Sequence, residues 1–192
     1  MGILTWYGST VGAEMSVFPS AQMFYPAAGV MLAYVLTQWQ EHLLPRWFYL
    51  CFMLVTVMML VLSVLCIAMP QQEMTVYGQP VCAWVILAQY VMIGGSVFCW
   101  ITLLAAGKSR REAYGLRFQK WKASLGCVLV FLLLYFARAL IGYAMSGQAG
   151  MFFESFQNPQ TWSYLLMLPL NFLLAFAPFF GEEYGWRYYM QP

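Results

Sequence analysis

A chain of 192 residues that is 62% hydrophobic and only 8% charged lies far from the soluble average of about 25% charged residues. That argues against a water-soluble domain and for a chain counted in bilayer crossings, each needing about 20 apolar residues. The net charge of +2 selects no partner, but its distribution is informative: six of the nine bases fall between Lys108 and Lys122. Beside apolar runs such a cluster reads as a topology determinant rather than a nucleic-acid patch.

In chain order, no base precedes Arg46, so the N-terminus lacks the pattern of a cleavable signal peptide. Trp6 stands where a myristoylation start needs Ser or Thr. A first helical span is expected over about 18–38, with Pro19 near its start and a kink at Pro26. A loop holding His42, the only histidine, and Arg46 follows; His42 reads as a solvated side chain. The second span, 47–69, holds no charge. The third, 81–106, contains the small-residue stretch Gly94-Gly95-Ser96, where a neighbouring backbone could approach closely. The fourth, 123–145, contains Arg138, which could snorkel outward, pair with Glu154 or touch a substrate. The loop after it is long enough for an interfacial helix. The fifth, 162–180, carries Pro169, Asn171 and Pro178 and runs into Glu182-Glu183. Asn171 is expected to bond a carbonyl freed by Pro169, or a neighbouring helix.

The fold class is therefore all-α, a polytopic helical membrane protein of about five spans forming one integral membrane domain. No span alternates with period two, which argues against a β-barrel. Placing the 108–122 cluster in the cytoplasm puts the Arg46 loop there too. The N-terminus and the loops at 70–80 and 146–161 then face outward, and none of these outward segments holds a Lys or Arg. The five cysteines, Cys51, Cys66, Cys82, Cys99 and Cys127, form no Cys-x-x-Cys pair and read as free thiols; a Cys66–Cys82 disulfide near the outer face is the alternative. Aromatics such as Trp39, Trp47, Trp84, Trp121 and Trp162 fall near the expected interfaces as an anchoring belt. No inverted repeat supports a transporter.

The fifth span covers about 30 Å from Trp162 to Glu182, one hydrocarbon core, and delivers two adjacent carboxylates to its inner end. On a helix, Glu183 and Arg187 stand at i,i+4 with the acid first, the favourable order for an ion pair. Glu182 points away, on the face of Trp186. One carboxylate can thus be held while the other is left for general-base activation of water or for metal ligation.

The stretch Phe180-Gly181-Glu182-Glu183-Tyr184-Gly185-Trp186-Arg187-Tyr188-Tyr189-Met190-Gln191-Pro192 resembles the first motif of the CPBP family. These are the CAAX prenyl endopeptidase and bacteriocin-processing (Abi) intramembrane proteases, whose motif has a Glu-Glu-x-x-x-Arg core. Tyr188 replaces a frequent Gly. Tyr114-Gly115-Leu116-Arg117, followed by Trp121, echoes the basic segment many members carry before the corresponding helix. The resemblance implies hydrolysis of peptide bonds, in a peptide or membrane-protein substrate, at a membrane-embedded site open to the cytoplasm. Glu182 would activate water or take part in binding a divalent metal such as zinc; Glu183 and Arg187 would complete and orient the motif. Nucleic acid is not an expected partner, and a bacterial cell membrane is the expected location.

The family pattern continues with Phe-x-x-x-His and His-x-x-x-Asn motifs on later helices, and residues 1–192 contain neither. The chain is accordingly expected to be an N-terminal portion or a degenerate member, inactive alone. A non-catalytic bacteriocin-immunity or scaffold factor is the alternative function.

Overall fold

The computed structural model describes residues 2–10, 12–76, 78–116 and 121–189. The chain forms two compact units, Met1–Leu116 with Phe172–Pro192, and Arg117–Asn171.

The first unit begins with α1 (Gly2–Thr10), α2 (Val17–Gln22), α3 (Tyr25–Thr37) and α4 (Arg46–Ala68). The expected first span is thus two helices of 6 and 13 residues, each short of a crossing. Pro26 accounts for the interruption: it lacks an N–H, and its ring collides with the carbonyl four residues back, in α2. In the first turn of α3 the missing N–H costs nothing.

The loop expected at 70–80 is a hairpin of β1 (Glu73–Val76) and β2 (Gln79–Cys82). Its register runs from Glu73 opposite Cys82 to Val76 opposite Gln79. Gly78 supplies the positive φ of 80° that so tight a connection needs. The third span consequently starts two residues late, as α5 (Ala83–Ala105). The Trp84 indole donates 3.0 Å to the carbonyl of Met69 at the end of α4, satisfying one of its orphan acceptors. Helices α4 and α5 are antiparallel neighbours. Gly95 makes their contact close: a Cβ there would lie 2.7 Å from both γ carbons of Val55. α6 (Lys108–Ala113) follows.

In the second unit α7 (Trp121–Met145), α8 (Ala149–Ser155) and most of α9 (Pro159–Leu174) are joined by aromatic contacts. Phe156 packs on Phe136 and Phe152, and the Trp162 indole donates 2.8 Å to the Phe156 carbonyl. The loop at 146–161 therefore does hold a short helix. Arg138 lines a hollow of about 350 Å³ with Tyr135, Tyr143 and Gln148. Among the described residues no carboxylate, Glu154 included, lies within ion-pair distance of it. Asn171 is exposed and its side chain makes no hydrogen bond among the described residues.

α10 (Phe176–Glu183) belongs to the first unit. The helix runs through Pro169 and breaks instead at Ala175. Pro178 accounts for this, since its ring displaces the carbonyl of Leu174. The loosened backbone is satisfied by one face of α5: Trp100 donates 3.2 Å to the Leu173 carbonyl, and Ser96 Oγ accepts 3.0 Å from the Ala177 amide. Ser96 is fully buried, so Ser96→Ala should strand the Ala177 N–H at a cost of about 1–3 kcal/mol. Thermal unfolding in detergent will register this as a lower midpoint, and an unchanged midpoint would show that the bond contributes nothing.

The protein is mostly helical. Helices α4, α5 and residues Lys122–Met145 of α7 are long and apolar enough to cross a membrane, and α9 with Phe176–Trp186 reaches a fourth as a broken pair. The five thiols are free, with Cys66 and Cys99 buried, so the Cys66–Cys82 disulfide is not formed.

Candidate functional site

The Glu motif sits on α10 and the π-helical turn that continues it, Tyr184–Tyr189. One face is buried: Ala177, Pro178, Gly181, Tyr184 and Gly185. The opposite face, with Phe179, Glu182, Glu183 and Trp186, is exposed. Glycine makes the burial possible. A Cβ on Gly181 would lie 2.5 Å from the Met23 carbonyl oxygen, and one on Gly185 would lie 2.7 Å from the Ala27 amide nitrogen. The motif is thus seated on the junction between α2 and α3, where Pro26 interrupts the helix. Tyr25 lies in that junction, and its buried hydroxyl has no partner among the described residues, an unusual condition for a polar group.

Tyrosine fixes the seat. Tyr184 Oη donates 3.2 Å to the backbone carbonyl of Tyr114 and stands 2.9 Å from Tyr49 Oη. A phenol has one proton to give, so Tyr49 must be the donor to Tyr184. Tyr114 in turn donates 2.8 Å to Gln38 Oε1. Tyr34 packs against Tyr49 and Tyr114, with ring centroids at 6.2 and 5.2 Å. Above them Phe180 stacks on Tyr184 at 5.1 Å and meets Phe48 and Phe52 edge-on at 5.5 and 5.9 Å. The motif therefore lies at the end of the unit where α4 starts, with Arg46, and where α5 gives way to basic α6.

Glu182 and Glu183 are adjacent and both exposed. The Glu183–Arg187 pairing lies outside the described residues, because the Arg187 side chain is not among them. From Tyr184 onward hydrogen bonding runs i to i+5 rather than i to i+4, so the simple α-helical spacing assumed for that pair does not hold along the whole motif. His42 is exposed and stands 3.1 Å from Glu41 in its own loop.

A zinc site needs three protein ligands and an open position. Among the described residues no three His, Cys, Asp or Glu side chains converge on a common point. The described donors do not by themselves make such a centre. What Glu182 can do alone is accept a proton from water within hydrogen-bond reach.

Sequence reasoning missed Tyr34, Gln38, Tyr49 and Trp100, and took Ser96 only as a small residue allowing close approach, not as a hydrogen-bond acceptor. Only Ser96 and Trp100 carried a local signal, an i,i+4 pair of polar groups on a mostly apolar helix. Compared with protein-family models, curated proteins and solved structures, the chain matches none.

Proposed function

We propose that this chain is an integral protein of a bacterial cell membrane carrying the first motif of a CPBP-type intramembrane endopeptidase. Its N-terminus lies outside, its basic segments and Glu pair lie on the cytoplasmic side, and α2–α3 form a kinked fifth crossing. The membrane part is supported by the outer surface of α4, where Val57 is 55% and Val61 50% exposed, apolar area that water would penalise.

One observation carries the hydrolytic part. The two stretches that resemble the family, 180–192 and 114–117, are far apart in sequence yet meet through the Tyr184–Tyr114 hydrogen bond. That contact holds the carboxylates facing outward from a rigid seat, as preorganised chemistry requires. In this reading Glu182 takes a proton from water as the water oxygen bonds to the scissile carbonyl carbon. The C–N bond then breaks and the proton passes to the departing amine. Glu183 and Arg187 complete and orient the motif, and any metal donors must come from beyond the side chains described.

The test is a comparison of protein termini in membranes of cells producing, at equal abundance, the native gene product that contains residues 1–192 or its Glu182→Gln variant. Cleavage near the cytoplasmic face should disappear in the variant. Identical termini in both would defeat the protease and leave a non-catalytic bacteriocin-immunity or scaffold role.

A further inference from the structure

We infer that α4, α5 and α6 form a binding site for an anionic phospholipid of the inner leaflet, its phosphate between Arg46 and Arg110 and one acyl chain along the adjoining cleft. This rests on the membrane reading above but not on the hydrolytic one.

Two hollows meet between α4 and α5. The larger, about 550 Å³, is lined by Leu50, Leu54, Met58, Val91, Gly94 and Phe98 and has almost no polar surface. The smaller, about 200 Å³, is lined by Arg46, Phe48, Ile101, Ala105 and Arg110. Both share Trp47 and Thr102, so the apolar cleft and the basic one adjoin at these two side chains.

The cleft has the dimensions of a lipid tail. On α4 its walls step from Trp47 through Leu50, Leu54 and Met58, and on α5 from Thr102 back through Phe98 and Gly94 to Val91. Each run is eleven residues of rise, about 16 Å. Half of a hydrocarbon core of about 30 Å is about 15 Å, so the cleft traverses one leaflet. Two neighbouring glycines divide the work: Gly95 lets α4 come close, whereas Gly94 has nothing within 4 Å of a would-be Cβ and leaves the floor open.

The polar end is complementary to a phosphate. Arg46 is half-buried and Arg110 exposed, and neither pairs with a carboxylate among the described residues. Arg46 instead lies 5.2 Å over the Trp39 ring and reaches the Glu41 carbonyl at 3.4 Å. The two arginines therefore concentrate positive potential where the acyl cleft begins. Basic pockets between helices at the cytoplasmic side suit anionic headgroups. A zwitterionic lipid brings the same phosphate, but its ammonium would lie beside the two arginines and offset much of the gain.

Native mass spectrometry of the delipidated protein, offered phosphatidylglycerol or phosphatidylcholine with matched chains, tests the inference. With two basic contacts the parent should favour phosphatidylglycerol by about thirtyfold. Arg46→Gln with Arg110→Gln should abolish the preference while leaving weak binding of both lipids. Gly94→Leu, which fills open space, should weaken both lipids alike. Equal binding by the parent, or a preference that survives the double substitution, would overturn the site. So would displacement of phosphatidylglycerol by inorganic phosphate, which would mark a site for a free anion. Alkaline carbonate extraction separates the two readings. Release of the protein would remove the membrane reading and the lipid site with it, whereas retention without headgroup preference removes the lipid site alone.

Discussion

Gly185→Leu should unseat the Glu motif and destabilise the first unit by about 3 kcal/mol or more, at the upper end of overpacking costs. The neighbours of Gly185 leave little room for compensation. The would-be Cβ meets the Pro26 ring and carbonyl carbon and comes to 2.7 Å from the Ala27 amide nitrogen. These are backbone and ring atoms at the start of α3, not the movable ends of side chains. The motif turn must therefore lift, and Tyr184, one residue earlier, would be drawn away from Tyr49 and Tyr114. Gly181→Ala should act in the same direction, against the Met23 carbonyl.

Gly94→Ala is the internal control, since it places a methyl in open space and improves helix propensity by about 1 kcal/mol. With Cys51, Cys82 and Cys127 replaced by Ala in every protein compared, buried Cys66 and Cys99 supply the readout, because a thiol-reactive dye reaches them only as the packing opens on heating. If Gly185→Leu reacted at the temperature of the parent, the seat described for the motif would be wrong.

Much of this architecture is legible in the sequence, for a definite reason. α4, α5 and α7 are uninterrupted apolar runs, and such runs announce themselves without tertiary information. The prolines likewise mark where helices fail, but not which proline prevails. Pro169 is accommodated within α9, while Pro178 coincides with the break because Ser96 and Trp100 on α5 can satisfy the freed groups. The hairpin at 73–82 went unseen because its strands are four residues each, too short for alternation to register. The candidate site divides in the same way. Glu182 and Glu183 stand out as charges in an apolar setting, whereas Tyr49, which meets the motif from 135 residues away, lies on no local pattern. What converts a sequence motif into a seated one is a set of long-range contacts by glycine and tyrosine, residues unremarkable at their own positions.

The hydroxyls make that last point testable. Tyr184→Phe removes the acceptor for Tyr49 and the donor to the Tyr114 carbonyl in one step. Tyr49 is fully buried and its hydroxyl has no other partner among the described residues. The variant should therefore lose about 2–4 kcal/mol, combining a lost bond with a stranded polar group. Tyr49→Phe should be milder, about 1 kcal/mol, because Tyr184 keeps its bond to Tyr114. The double variant should be more stable than Tyr184→Phe alone, since removing both phenol hydroxyls leaves no Tyr49 group to strand. Dye-monitored unfolding of the four proteins completes the cycle. Strict additivity, or a double variant weaker than either single one, would mean that the two hydroxyls are not bonded. Glu182 would then have to be held by something other than the tyrosine network beneath it.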